Sequence, residues 1–177
     1  MASPNEFPKP KYITGGCLCE ALRYRIDFPE NHDFEASSWT CQCTQCRKNT
    51  GSFFLASHHV SNSAFHWTSP NTDSLRRYHT TPVAERGSCA NCGSFLYWRR
   101  VSPEAEAGDI YIAVGSIDPL FLFGEGADGV EVPKGGFGVA LASGAGGHVW
   151  CANEIPGVTD KGKMGYLHER GERFSQD

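Results

Sequence analysis

Cys41-Gln42-Cys43-Thr44-Gln45-Cys46-Arg47-Lys48 places three cysteines within six residues, and the use of those thiols decides how the rest of the 177-residue chain is read. Two further groups flank the stretch, Cys17-Leu18-Cys19 upstream and Cys89-Ala90-Asn91-Cys92-Gly93 downstream, so seven of the eight cysteines are clustered. A CxxC turn closed by glycine aims two sulfurs at one point, and structural zinc takes four thiolates in a tetrahedron. Cys89 and Cys92 supply half of such a set, and Cys17 with Cys19 the other half. A metal there pins the first strand of the domain to the middle of the chain. Zinc in small sites contributes about 10–16 kcal/mol, comparable with the whole stability of a domain. The pairing leaves Cys41, Cys43 and Cys46 with one coordination position open, the arrangement of a catalytic zinc. Two Zn2+ per chain are therefore expected, one structural and one catalytic. Arg47 and Lys48, directly after the third cysteine, are placed to hold substrate carboxylates.

Other assignments of these groups stay open. Cys151 closes the second set as a fourth ligand in one alternative, which makes both zincs structural; in another it is a small core residue of an apolar strand. Oxidised pairs are a further alternative, with no Asn-x-Ser/Thr sequon or signal-like segment to accompany them. His58, His59, His79 and His148 are candidate ligands or bases, against the commoner packed or exposed histidine. Arg76-Arg77 reads as a solvated strand surface.

Composition points the same way as the clusters. The 20 glycines and 10 prolines, with only 20% charged and 40% hydrophobic residues, favour a turn-rich β protein over a helical bundle. The length fits one domain with a sizeable core. A net charge of -4 offers phosphate backbones no broad basic surface, so nucleic acid is excluded as a partner. The absence of any apolar run of about 18 residues excludes a membrane span, and the chain reads as cytoplasmic. The oligomeric state is not legible.

Strand-like runs occur at Ala21–Phe28, Phe53–Val60, Leu75–His79, Ser94–Arg100, Asp109–Ile117, Phe137–Ala142 and His148–Ala152. One short helix is expected over Thr44–Thr50, ended by Gly51. Nine glycines between Gly124 and Gly147 read as a mobile loop, a lid or a solvated insertion. Gly124-Glu-Gly-Ala-Asp-Gly129 fits GxGxxG on paper, but no βαβ unit surrounds it and the dinucleotide reading fails. Residues 1–12 are expected to be a flexible segment, 13–160 a single zinc-binding domain with a Gly-rich insertion at 121–147, and 161–177 a polar tail.

With these residues in hand, Gly15-Gly16-Cys17-Leu18-Cys19, the Cys41 to Lys48 stretch with Gly51-Ser52-Phe53, Arg86 before Cys89-Ala-Asn-Cys92-Gly93-Ser94, and Gly115-Ser116-Ile117-Asp118 form one ordered pattern. From about Gly15 to Asp118 the chain resembles the glutathione-dependent formaldehyde-activating enzyme family, which also includes centromere protein V. His148-Val149-Trp150 is similar to a His-Ile-Phe segment that such proteins often carry. The resemblance implies a mainly β fold of the β-tent type, with stacked antiparallel sheets, zinc knuckles and few short helices. It implies a structural zinc on Cys17, Cys19, Cys89 and Cys92 and a catalytic one on Cys41, Cys43 and Cys46. The implied activity is a carbon-sulfur lyase that joins glutathione to formaldehyde reversibly, so the implied partner is a small-molecule thiol or aldehyde. Two features depart from the family pattern, the Gly-rich insertion from Phe121 to Gly147 and His58-His59 at an often aromatic position. The same open site acting on a larger metabolite covered by the Gly-rich loop is a second expectation. A zinc-stabilised protein-binding module without catalysis is a third.

Overall fold

Short β-branched and aromatic runs, cut by Gly, Pro, Asn and Ser, become ten strands in the computed structural model, which describes residues 7–103, 108–127 and 132–160 with Glu172 and Phe174. The first sheet joins β1 (Tyr12–Gly16), β2 (Arg23–Asp27) and β5 (Phe65–Trp67), all antiparallel. The second joins seven strands in the order β10 (Gly147–Val149), β3 (Ser38–Cys41), β4 (Leu55–Ser61), β9 (Asp109–Ala113), β8 (Phe95–Arg100), β7 (Ala84–Cys89) and β6 (Leu75–Thr81). Among the described strand pairs only β10–β3 is parallel. Three short α-helices complete the described chain: α1 (Thr44–Thr50), α2 (Pro119–Phe123) and α3 (Gly138–Ala142). The fold is thus mainly β, built on two sheets.

Alternation along each strand gives the seven-stranded sheet two different faces. Opposed residues on neighbouring strands share a face. The row His58, Ile112, Tyr97 and Gly87, with Val60 and Ile110 one step along, turns towards the three-stranded sheet. There it meets Ile13, Tyr24 and Ile26, and the core sits between the two sheets. Gly87 is required at its position, because a Cβ would overlap the ring of Tyr97. That ring lies across β7 and sends its hydroxyl to Glu85 Oε1 at 2.9 Å. The other face carries Tyr78, Arg86, Trp98, Tyr111 and His59 in one row, with Trp39 and Ser57 beside it.

Several expected elements differ. Phe137–Ala142 is no strand: Gly138–Ala142 forms α3, whose Ala140 and Leu141 are fully buried against the core. A six-residue apolar run fits a buried strand or a buried helix turn equally well. The expected strands to Ile117 and Ala152 end early, at Ala113 and Val149, in single 3-10 turns. The stretch 124–147 is not one open loop. Glu125 bridges to Lys134, α3 packs inward, and residues 128–131 lie outside the described ones. Of the terminal segments, Phe7 packs against the core and Tyr12 opens β1, whereas residues 1–6 lie outside the described ones. In the tail, Glu172 and Phe174 pair through their backbones with His148 and Cys151. Among the described residues no helix is long and apolar enough to cross a membrane.

Candidate metal centre

The first cysteine group gathers two turns that are distant in sequence. Cys17 and Cys19 follow β1 in a tight loop, where the Cys17 N–H donates to Leu22 O at 3.0 Å and Leu22 N–H donates to Cys17 Sγ at 3.3 Å. Cys89 ends β7, and Gly93, at φ 78°, turns the chain so that its N–H returns to Cys89 O at 2.9 Å. Ser94 joins the loops through its Oγ, which accepts from Leu18 N–H at 3.0 Å. Cys17, Cys19, Cys89 and Cys92 then have all their sulfurs within 4.8 Å of one another. Cys17 to Cys19 is 3.6 Å and Cys19 to Cys89 is 3.7 Å. A tetrahedral Zn–S4 unit with bonds of about 2.3 Å has edges of about 3.8 Å, so the set fits zinc.

The second group is built at the start of α1. Cys41 closes β3 and pairs across to Leu55 on β4. Cys43 caps the helix, its sulfur accepting from Cys46 N–H at 3.3 Å, and Gly51 ends the helix at φ 64°. One turn of helix therefore brings Cys46 back beside Cys43. The three sulfurs lie within 4.8 Å of one another. Cys151 is not a member of this group; its thiol donates to His148 O at 3.3 Å.

Crowding three thiols sets their acidity. Hydrogen bonds from Cys41 and Cys46 hold the Cys43 sulfur at about 2. Hydrogen bonding to Cys43 pushes Cys41 up to about 11, and Cys46, pressed by Cys41 and Cys43, is raised further. Loss of a proton is thus easiest at Cys43 and opposed at Cys41 and Cys46. All three become thiolates only beside a multivalent cation, which is the donor chemistry zinc selects.

A cavity of about 670 Å3 opens on this group. Cys41, Cys43 and Cys46 line it together with Trp39, Trp98, Tyr111 and Trp150, and with Gln45 and Arg86. The aromatic residues and Arg86 come from the outward face of the seven-stranded sheet and from the turn after β10, which is why no local motif announces them. The arrangement can hold a metal with three protein ligands and leave a shaped, mainly apolar space for what binds opposite them.

Arg47 does not line this space. Its Nε donates to Phe53 O at 3.0 Å, and its Nη2 donates to Gln42 Oε1 at 3.2 Å and to Asn153 O. Lys48 is exposed. The four candidate histidines also stand elsewhere. His58 is buried on the core face, His59 meets Asp109 Oδ2 at 3.0 Å, His79 faces Glu85, and His148 Nδ1 lies 2.6 Å from Thr40 Oγ1. Gln42, overlooked in the sequence, is buried between the motifs and accepts from both Arg47 and Thr159, at 3.2 and 2.8 Å.

The model of the glutathione-dependent formaldehyde-activating enzyme family matches residues 12–127, about two thirds of the chain. The chain belongs to that family. All seven clustered cysteines fall inside the match, as does Arg86, whereas the glutathione-dependent formaldehyde-activating enzyme pattern stops short of α3, β10 and Trp150. No curated protein matches the chain. Among solved structures it is similar to a crystallised Rhodobacter sphaeroides protein, at 18% identity and a TM-score of 0.48, over 60% of this chain and 88% of that one.

Proposed function

We propose that the protein is a zinc-dependent carbon-sulfur lyase acting on a thiol-aldehyde adduct, of the type that glutathione forms with formaldehyde. The observation that carries this reading is the three-cysteine group opening directly on a cavity, in a chain of this family. Cys41, Cys43 and Cys46 would hold the metal of the reaction, and Cys17, Cys19, Cys89 and Cys92 the metal of the fold. Zinc held by these three cysteines would supply Lewis acidity towards a sulfur or a carbonyl oxygen.

The chemistry to be served is simple. The adduct hydroxyl gives up its proton as the carbonyl forms, the C–S bond breaks with its electron pair on sulfur, and sulfur takes up a proton to leave as the thiol. The helix cap fixes the three sulfurs before substrate arrives, since Cys43 is bonded to Cys46 N–H and α1 is tied by Arg47 to Phe53 and Asn153. Arg47 is thereby a positioning residue for the cavity wall. The walls would orient the adduct towards the cysteine face.

The second reading, a larger substrate, is favoured by the size and aromatic lining of the cavity. None of the described residues from 121 to 147 lines the cavity, so the described part of the Gly-rich stretch does not cover it.

Exchange between free and formaldehyde-bound thiol, followed by NMR magnetisation transfer, tests the reaction. The zinc-loaded protein should accelerate exchange well above the spontaneous background, and Cys43→Ser should return it to background while the fold persists. Full acceleration by Cys43→Ser would sink the proposal.

A further inference from the structure

We propose that this cavity selects a thiol, or its aldehyde adduct, that carries one carboxylate and a flat apolar group, with Arg86 as the residue that reads the carboxylate. The inference rests on the lyase reading of the same site and gives it a substrate class.

Arg86 is the decisive residue. It is only 6% exposed and lines the cavity. Its Nη2 donates to Gln45 Oε1 at 2.8 Å and its Nη1 to Thr80 Oγ1, both neutral acceptors. No carboxylate among the described residues forms an ion pair with it. The adjacent Glu85 faces the other way, accepting from Tyr97 and Arg99, each at 2.9 Å. A buried cation held only by neutral acceptors is costly to desolvate, and an incoming anion offsets that cost. A guanidinium has five N–H donors in a fork that matches a carboxylate, and two neutral bonds leave that capacity unfilled. Gln45 sits between Cys43 and Cys46, so the same side chain that would take the carboxylate is bonded to the helix that carries the sulfurs.

The remaining walls set the second half of the selection. Trp39, Trp98, Tyr111 and Trp150 surround the space, and among the described residues no Asp, Glu, Lys or His lines it. Glutathione brings an ammonium, two carboxylates and two peptide groups. One carboxylate can meet Arg86, but among the described residues the ammonium finds no carboxylate partner and the second carboxylate no second basic side chain. A ligand with a single acid and an aromatic or aliphatic body matches Arg86 and the aromatic part of the wall. Desolvated polar groups left unmatched are what such a site discriminates against most strongly.

The test titrates the zinc-loaded protein with 2-mercapto-3-phenylpropanoate, with its primary amide and with glutathione, following tryptophan fluorescence and binding heat. The acid should bind at least about 10-fold more tightly than the amide or glutathione. Arg86→Gln should abolish the preference of acid over amide, and the acid-amide comparison on the unaltered protein stands even if that variant folds poorly. Equal affinity for acid and amide, or tighter binding of glutathione, overturns the proposal. Efficient turnover of the glutathione adduct with no acid-amide difference removes this inference and leaves the lyase reading. An acid preference without turnover of any adduct removes the lyase reading and leaves Arg86 as a carboxylate site.

Discussion

His58 and His32 meet Nε2 to Nε2 at 2.9 Å on the core face, between Phe28 and Phe34. The His58 Nδ1–H donates to Leu141 O at 3.2 Å, which makes its Nε2 the acceptor and His32 Nε2–H the donor. Burial holds His58 down at about 3, with the nearby His32 adding to the effect, and burial lowers His32 as well. A depressed histidine favours folding above its unfolded value near 6.5, and that contribution is lost as pH falls from there towards the folded value. The slope is about 1.4 kcal/mol per pH unit for one such group. NMR of the imidazole should show His58 neutral from about pH 8 down to about pH 5.5; a midpoint near 6.5 would refute this packing. The sequence shows His58 only as one of four possible bases. Its burial depends on β4 lying between β3 and β9, which no local signal encodes.

Helix α1 shows how much of an element can be read locally. Its start at the cysteines and its end at Gly51 are both visible in the sequence, because caps are short-range features. Gly51 adopts φ 64°, and a Cβ there would meet nothing within 4 Å. Gly51→Ala should therefore cost only the left-handed backbone penalty, about 1–2 kcal/mol, without a clash. Thermal unfolding should register that loss, together with weaker retention of the second metal by the helix that carries Cys46. A variant as stable as the parent would mean that the cap does not hold α1. Strands were less legible. β3 and β5 have four and three residues, too few for alternation to show, and β7 buries Glu85 and Arg86, which composition assigns to a surface. For α3 the apolar run was visible but its period was not, since five residues make little more than one helical turn.

At the scale of the molecule, the seven-stranded sheet separates folding from function. One face closes the core with the three-stranded sheet, and the other lines the cavity beside Cys41, Cys43 and Cys46. The cysteine groups were legible because each is a local turn with its own spacing. Trp39, Trp98, Tyr111 and Arg86 were not, because five strands, β3, β4, β9, β8 and β7, must find their register before these side chains share a wall. The most direct check is zinc per chain by native mass spectrometry, on the parent and on Cys43→Ser. Two zincs in the parent and one in a folded Cys43→Ser variant are predicted. A single zinc in the parent, or two retained after Cys43 is replaced, contradicts an open three-cysteine metal centre on this cavity.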